Sequence, residues 1–137
     1  LWLTQFIVFS CATPPSDQSE KQADSPVVMA YYVPEKDYQP EKVPVEQLTH
    51  IIFSFTHVID GEMKFRDPDS AGPKLQQLVA QKTRNPSLKV MIACGGWGAD
   101  GFSDMASTPE GIEKFAASVY QFVQQYQLDG LDIDWEY

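Results

Sequence analysis

Four short, almost continuously apolar runs are spread along the chain. They lie at residues 27–33, 49–58 and 88–96 and within 128–137, and they are rich in β-branched, aromatic and small apolar side chains. Runs of this length and composition predict β-strands. Strands that lack a polar alternate face are covered on both sides, as in a parallel sheet. The pattern therefore predicts buried strands of a parallel sheet.

Between these runs, apolar residues follow helical spacing. A short helix is predicted near 45–48 and a second over roughly 73–82. The third is the best defined, because Ser107 and Glu110 form a capping box and Pro109 lies in the first turn. Its apolar face is formed by Ile112, Phe115, Ala116, Val119, Phe122, Val123 and Tyr126. Strands that alternate with helices predict an α/β fold with right-handed crossovers.

The N-terminal 25 residues differ from the rest of the chain. The apolar stretch 1–9 is too short to span a bilayer and suits the end of an export signal whose basic start is missing. Val8–Cys11 loosely resembles the lipobox of bacterial lipoproteins, in which Cys11 would carry lipid, although Phe9 is large for its position. We expect 1–11 to be a signal remnant, or alternatively a short disordered segment. Residues 12–25 are a predicted disordered linker.

Charge and cysteine content narrow the function classes. The formal net charge is −9, which argues against a nucleic-acid partner because a phosphate backbone requires a basic surface. Cys11 and Cys94 lie in the leader and in a predicted core strand, so no disulfide between them is expected. The leader predicts an exported protein, either extracellular or attached to the cell envelope.

The segment LDGLDIDWEY carries the candidate chemistry. Side chains two apart in a strand share a face, so Asp132, Asp134 and Glu136 project together. Crowded, buried carboxyl groups favour retention of a proton on one of them, and a protonated carboxyl is what general-acid catalysis requires. Two other interpretations stay open: a solvated edge strand, which the apolar flanks disfavour, and a divalent-metal site, for which no calcium-loop glycine spacing follows.

The stretch GGWGADG follows the third apolar run. Gly96, Gly98 and Gly101 match the spacing of a dinucleotide-binding fingerprint. In that motif a helix begins within the glycines, whereas here we expect FSDMASTPE to intervene and the helix to begin near Thr108. We interpret the turn as a close backbone approach, with Trp97 exposed beside it. An exposed ring next to acids suits stacking on a sugar; a packing role is the alternative.

Two motifs together resemble glycoside hydrolase family 18, the chitinases and their relatives. DGLDIDWEY is similar to the signature Asp-x-x-Asp-x-Asp-x-Glu, with Asp129, Asp132, Asp134 and Glu136 in register, and ACGGW resembles Ser-x-Gly-Gly-Trp. AYY, THIIFSF and GFSDMASTPEG are similar to further segments of the family. The resemblance implies a (β/α)8 TIM barrel, with about the first four β/α units, residues 26–137, present as the N-terminal half of the catalytic domain.

The resemblance also implies roles for single residues. Glu136 would protonate the glycosidic oxygen, Asp134 would orient the substrate's 2-acetamido group, and Asp132 would share a proton with Asp134. Tyr31 would hydrogen-bond near this Asp pair. The implied substrate-binding residues are Tyr31, Phe53, Gly95, Gly96, Trp97, Trp135 and Tyr137. The family's mechanism uses the substrate's own acetamido group and needs neither a metal nor an organic cofactor.

Two departures from the family pattern are visible. Ala93 stands where the family usually has Ser, so a hydroxyl that helps to hold the Asp pair is missing. An eight-stranded barrel needs about 250 residues, so we expect a fragment that is inactive by itself. The implied function is hydrolysis of chitin, a β-1,4-linked N-acetylglucosamine polymer. The alternatives are an endo-β-N-acetylglucosaminidase acting on N-glycans and a non-catalytic, chitinase-like sugar-binding protein.

Overall fold

The computed structural model describes residues 26–34 and 38–136. The predictions for the leader at 1–11, the linker at 12–25 and Tyr137 lie outside these residues. The described strands are β1 (Met29–Tyr32), β2 (His50–Ile59), β3 (Glu62–Lys64), β4 (Lys89–Gly95) and β5 (Gly130–Asp134). The helices are α1 (Pro68–Ala80), α2 (Phe102–Ala106) and α3 (Pro109–Tyr126), with 3-10 turns at Pro40–Lys42, Val45–Gln47 and Gln81–Thr83.

The sheet confirms the parallel arrangement expected from the apolar runs. Its strand order is β1-β2-β4-β5, and every neighbouring pair along this path is parallel. β3 pairs antiparallel with β2 through a tight turn in which Asp60 and Gly61 both have positive φ. Strand β3 is too short to show a hydrophobic period, and the sequence interpretation missed it.

Helices cover one face of the sheet, and the main hydrophobic core lies between the helices and that face. The amphipathic helices α1 and α3 pack their apolar stripes onto side chains that point from alternate strand positions. The fully or nearly fully buried members include Phe53, Leu75, Leu78, Val90, Ile92, Phe102 and Phe115. The candidate catalytic residues lie at the carboxyl ends of the parallel strands.

Helix α3 begins where the sequence predicts, but the predicted capping box is wrong. The Thr108 hydroxyl accepts a hydrogen bond from the Gly111 N–H at 3.1 Å and is the N-cap. The residue before a proline is driven to extended backbone, which is the conformation an N-cap needs, so Pro109 selects its direct neighbour. The Ser107 hydroxyl instead donates to the Asp104 carbonyl in the last turn of α2.

Two further helix predictions need correction. Helix α1 begins at Pro68, five residues before the predicted start, because the Asp67 side chain accepts from the Ser70 N–H and Pro68 occupies the first helical position. Helix α2 lies inside the segment expected to be without helix. Within 26–34 and 38–136, no helix combines the length and apolar character needed to cross a bilayer.

Candidate active site

Strand β5 presents its acids on the face opposite the helices. Leu131 packs against the helix-side core, whereas Asp132 and Asp134 occupy the alternate positions and are half-buried. Glu136 follows two residues after the strand and is exposed. The period-two geometry expected from the sequence thus holds for the two aspartates, and it places all three acids at or near the carboxyl edge of the sheet.

A hydrogen bond joins the two outer strands of the sheet. The Tyr31 hydroxyl on β1 donates to Asp132 Oδ2 on β5 at 2.8 Å. Three strand spacings separate β1 from β5, which is roughly 14 Å on a flat sheet. The contact is therefore possible only because the sheet curls strongly around its acidic face. This curvature is what a closed barrel requires.

The electrostatics of Tyr31 follow from the same contact. The hydrogen bond to the Asp132 carboxylate raises the pKa of Tyr31 above its usual value, since ionisation would replace a donated proton by a second negative charge. Partial burial and the charges of Asp132 and Asp134 act in the same direction. Tyr31 is thus a hydrogen-bond donor to Asp132 at neutral pH.

Two glycines close the gap between β4 and β5. Gly95 has φ of +125°, and a β-carbon there would clash with the Asp134 carbonyl oxygen. The Gly96 N–H donates to that same oxygen at 3.0 Å, and a β-carbon on Gly96 would lie 3.1 Å from the Phe55 ring. The close backbone approach expected from the glycine run is confirmed, and it fixes the position of Asp134.

The aromatic residue after these glycines is exposed, as expected. Trp97 has 85% of its surface accessible at the carboxyl edge of the sheet. Helix α2 begins directly after Gly101, so the expectation that FSDMASTPE is non-helical was wrong. The dinucleotide interpretation still lacks support, because close contacts account for two of its three glycines, Gly96 beside Phe55 and Gly101 beside Val58.

Phe53 lines the same cavity as Trp97, and its role in sugar binding stays a prediction. Its side chain has no exposed surface and packs on the helix side of the sheet, with ring centroids 5.7 Å from both Tyr32 and Phe65. β2 also brings Phe55 against Gly96. The pairing of β2 with β4 is irregular between Phe53 and Thr56, and the sequence alone shows no sign of this irregularity.

Trp135 stays a predicted substrate-binding residue, and its ring contact lies on the helix side of the sheet. Its ring stacks on Phe102 of α2, with centroids 5.4 Å apart and planes 14° apart. That contact turns Trp135 toward the helix layer, on the same side as Leu131, and away from the aspartates. The alternation that gathers the acids on one face necessarily sends Trp135 to the other.

Ala93 lies directly beside the aspartate pair. It is fully buried and is paired in register with Asp132, while its carbonyl oxygen accepts from the Thr56 hydroxyl at 2.9 Å. A methyl group therefore occupies the place of the expected hydroxyl. Its neighbour Cys94 is also buried, and burial raises the pKa of that thiol to about 11, so Cys94 is no nucleophile at neutral pH.

The first acid of the signature, Asp129, lies at the other end of β5 and serves the fold. Its carboxylate accepts from the Val90 N–H at 2.7 Å and pairs with Lys82 at 2.6 Å and Lys89 at 3.6 Å. Partial burial alone would raise the pKa of Asp129, but the bonds from Lys82 and Val90 outweigh it and lower that pKa. Among the described residues, no group of three or more His, Cys, Asp or Glu is arranged to hold a metal ion.

The arrangement of these residues agrees with comparisons to known proteins. The family described as glycosyl hydrolases family 18 matches residues 27–137. The chain belongs to glycosyl hydrolases family 18. Among curated proteins, the endochitinase of Manduca sexta is 39% identical over 106 residues, which cover 73% of this chain and 19% of that protein.

Solved structures of family 18 proteins share the fold. The chitinase domain of the spore coat protein CotE from Clostridium difficile has a TM-score of 0.74 and 39% identity, covering 91% of this chain and 34% of that one. A family 18 N-acetylglucosaminidase from Paenibacillus barengoltzii has a TM-score of 0.69 and 35% identity, covering 81% of this chain and 32% of that one. The chain thus spans about a fifth of the curated relative and a third of these structures, and its sheet is part of the family 18 barrel.

Proposed function

We propose that the chain supplies the acid-bearing half of a chitinase-type glycosidase. The observation that carries the proposal is the hydrogen bond from Tyr31 to Asp132, which fixes Asp132 on the curved face of the sheet. The relatives named as chitinases support the reaction class. The substrate would be chitin or another glycan with β-linked N-acetylglucosamine.

The exposed position of Glu136 after β5 suits a general acid. Its carboxyl group would donate a proton to the glycosidic oxygen as the bond to the anomeric carbon breaks. The carbonyl oxygen of the substrate's own 2-acetamido group would attack that carbon, oriented by Asp134, and form a cyclic oxazolinium intermediate. Water, deprotonated by Glu136, would then open the ring and retain the configuration. Asp132 would share a proton with Asp134.

Sugar binding would use the carboxyl edge of β4. The exposed Trp97 ring offers an apolar surface for a pyranose face, and the missing side chains of Gly95 and Gly96 leave room for close approach. We add Phe55 to this set, because it lines the same cavity as Trp97 and contacts Gly96.

A chimera tests the proposal in a complete barrel. Residues 27–137 would replace the matching segment of the Manduca sexta endochitinase, which is similar enough to supply the other strands. We expect the chimera to hydrolyse a fluorogenic chitobioside, and Glu136→Gln to lower kcat by about 10²- to 10⁴-fold. Glu110→Gln, on the exposed first turn of α3, is the matched control.

Equal turnover by the chimera and its Glu136→Gln variant would remove Glu136 from the acid role. Binding of chitin oligomers without hydrolysis by either would favour the sugar-binding alternative. An analogue with a free 2-amino group lacks the internal nucleophile, so we expect no turnover of it. Rapid hydrolysis of that analogue would contradict participation of the acetamido group.

The substrate class has a second candidate. The structure from Paenibacillus barengoltzii is described as an N-acetylglucosaminidase, and its similarity keeps open an enzyme acting on N-acetylglucosamine in glycans other than chitin. The chimera's relative rates on chitin oligomers and on an N-glycan core distinguish the two.

We also propose that the 137 residues alone have no measurable chitinase activity. The described sheet supplies four parallel strands, whereas a closed barrel has eight and builds its site from the loops after all of them. The measurement is turnover of a fluorogenic chitobioside by the purified chain. Export through residues 1–11, with or without lipid on Cys11, stays a prediction that mass spectrometry of the mature N-terminus would check.

A further inference from the structure

A cavity of about 470 Å³ lies beside the Trp97 turn, over the carboxyl ends of β1, β2 and β4. Trp97, Gly95 and Gly96 form one wall, so the cavity opens next to the expected sugar site. The opposite wall is formed by the start of α1 and the residues before it. A substituent on a bound sugar would reach this wall without leaving the carboxyl edge of the sheet.

Two cationic side chains, those of Arg66 and Lys74, lie on the opposite wall. Arg66 is exposed there, and Lys74 uses one N–H on the Pro34 carbonyl oxygen at 3.1 Å, which leaves its other protons available. Among the described residues of the lining, Asp67 is the acidic one, and its carboxylate is already engaged by the Ser70 N–H as the cap of α1. Arginine and lysine in one cavity favour a ligand rich in acceptors.

A buried polar group supports the same interpretation. Ser54 lines the cavity and is only 2% exposed, and within 26–34 and 38–136 its hydroxyl has no hydrogen-bond partner. An unpaired buried hydroxyl is unfavourable and is usually explained by a ligand or water that completes it. The positive wall is also unusual for this chain, whose net charge is −9 with ten Lys and Arg in total.

We propose that this cavity binds the carboxylate of an acidic sugar unit adjacent to the N-acetylglucosamine that is cleaved. Arg66 and Lys74 are the recognition residues, and Ser54 and Ser70 supply further donors. The inference rests on the proposed function, because it specifies the substrate class of the same site. It restricts the preferred substrate to a glycan with an anionic substituent, which uniform chitin lacks.

The test uses the full chain and two disaccharides that differ by one carboxylate. Di-N-acetylchitobiose is the neutral probe, and the acidic probe is the β-1,4 disaccharide whose second unit carries a 3-O-lactyl group. Binding is followed by ¹H–¹⁵N NMR at low salt. We expect about three- to tenfold tighter binding of the acidic probe, the size of one partly solvated charge-assisted hydrogen bond.

Arg66→Gln should abolish that difference, and Ser54→Ala should reduce it. Lys42→Gln is the matched control, because Lys42 is an exposed cation outside the cavity. Equal affinity for both probes, no binding of either, or an equal effect of Arg66→Gln and Lys42→Gln would overturn the inference. Shifts at Trp97 with the neutral probe report on the proposed function separately, as does hydrolysis by the chimera.

Discussion

Gly95 shows how strongly a single residue controls the acid strand. Its positive φ and its contact with the Asp134 backbone leave no space for a side chain. Gly98 has φ of +69° in the same turn, but no atom of the described residues lies within 4 Å of a β-carbon placed there. A comparison of Gly95 with Gly98 therefore separates the effect of backbone conformation on stability from the effect of close packing.

We expect Gly95→Ala to lower the free energy of unfolding by about 3 kcal/mol or more, because strain at positive φ is joined by a clash with backbone. Gly98→Ala should cost only about 1 kcal/mol, from the backbone conformation alone. Urea denaturation of both variants checks this prediction. A similar loss of unfolding free energy in both variants would show that the contact with Asp134 does not determine the cost of Gly95→Ala.

A second prediction at this scale concerns the hydrogen bond between Tyr31 and Asp132. Asp132→Asn removes the carboxylate that raises the pKa of Tyr31, so that pKa should fall toward the ordinary tyrosine value. NMR titration of ¹³C-labelled tyrosines measures it, and Tyr31→Phe identifies the signal among the six tyrosines. An unchanged Tyr31 pKa in Asp132→Asn would mean that the two side chains do not interact in solution.

At the scale of elements, Asp129 joins β4 to β5. Its side chain accepts from the Val90 N–H, and its own N–H donates to the Val90 carbonyl oxygen at 2.8 Å. Lys82 from the turn after α1 contributes the close ion pair. Asp129 thus sets the register that carries Asp132 and Asp134, five residues or fewer further along the strand, to the opposite edge.

We expect Asp129→Asn to lower the free energy of unfolding by about 2 kcal/mol at pH 7, because hydrogen bonds to a charged group are lost. The folded-state pKa of Asp129 is lowered, so its contribution is complete above the unfolded pKa of about 3.9 and is lost as pH falls through the folded pKa. The difference between wild type and variant should therefore shrink below about pH 4.

Urea denaturation over a pH series measures this difference, with Asp100→Asn in an exposed turn as the control. A constant difference from pH 7 into the acid range would contradict an ionised Asp129 as its source.

For the whole molecule, the two outer strands are the main sites at which chains can associate with one another. Within the described part of the chain, β1 pairs only with β2, and β5 pairs only with β4. Val28, Met29 and Tyr31 near the first edge and Ile133 near the second are about half exposed. Parallel edges with exposed apolar side chains promote association between chains.

Met29→Lys should reduce concentration-dependent self-association of the chain, because a charge on an open strand hinders edge-to-edge pairing. Light scattering over a dilution series measures the association, and circular dichroism verifies an unchanged fold. Ser103→Lys, on the exposed side of α2, is the control for added charge. Equal reduction by both variants would assign the effect to net charge and not to the edge.

Much of the fold was predictable because it depends on local pattern. Four apolar runs became the four parallel strands, and the spacing from Ile112 to Tyr126 became α3. Strand β3 and helix α2 were missed, since three and five residues are too few to show a period. The start of α1 was missed because Pro73 suggested a boundary, whereas the actual cap is Asp67.

The order of the parallel strands, the family and the shared face of Asp132 and Asp134 could all be inferred from local sequence pattern, because alternation along a strand is a property of neighbouring residues. The contact of Phe55 with Gly96, the stacking of Trp135 on Phe102 and the hydrogen bond from Tyr31 to Asp132 became visible only in the folded structure. These outcomes depend on strand irregularity and sheet curvature, which arise from contacts between residues far apart in the chain.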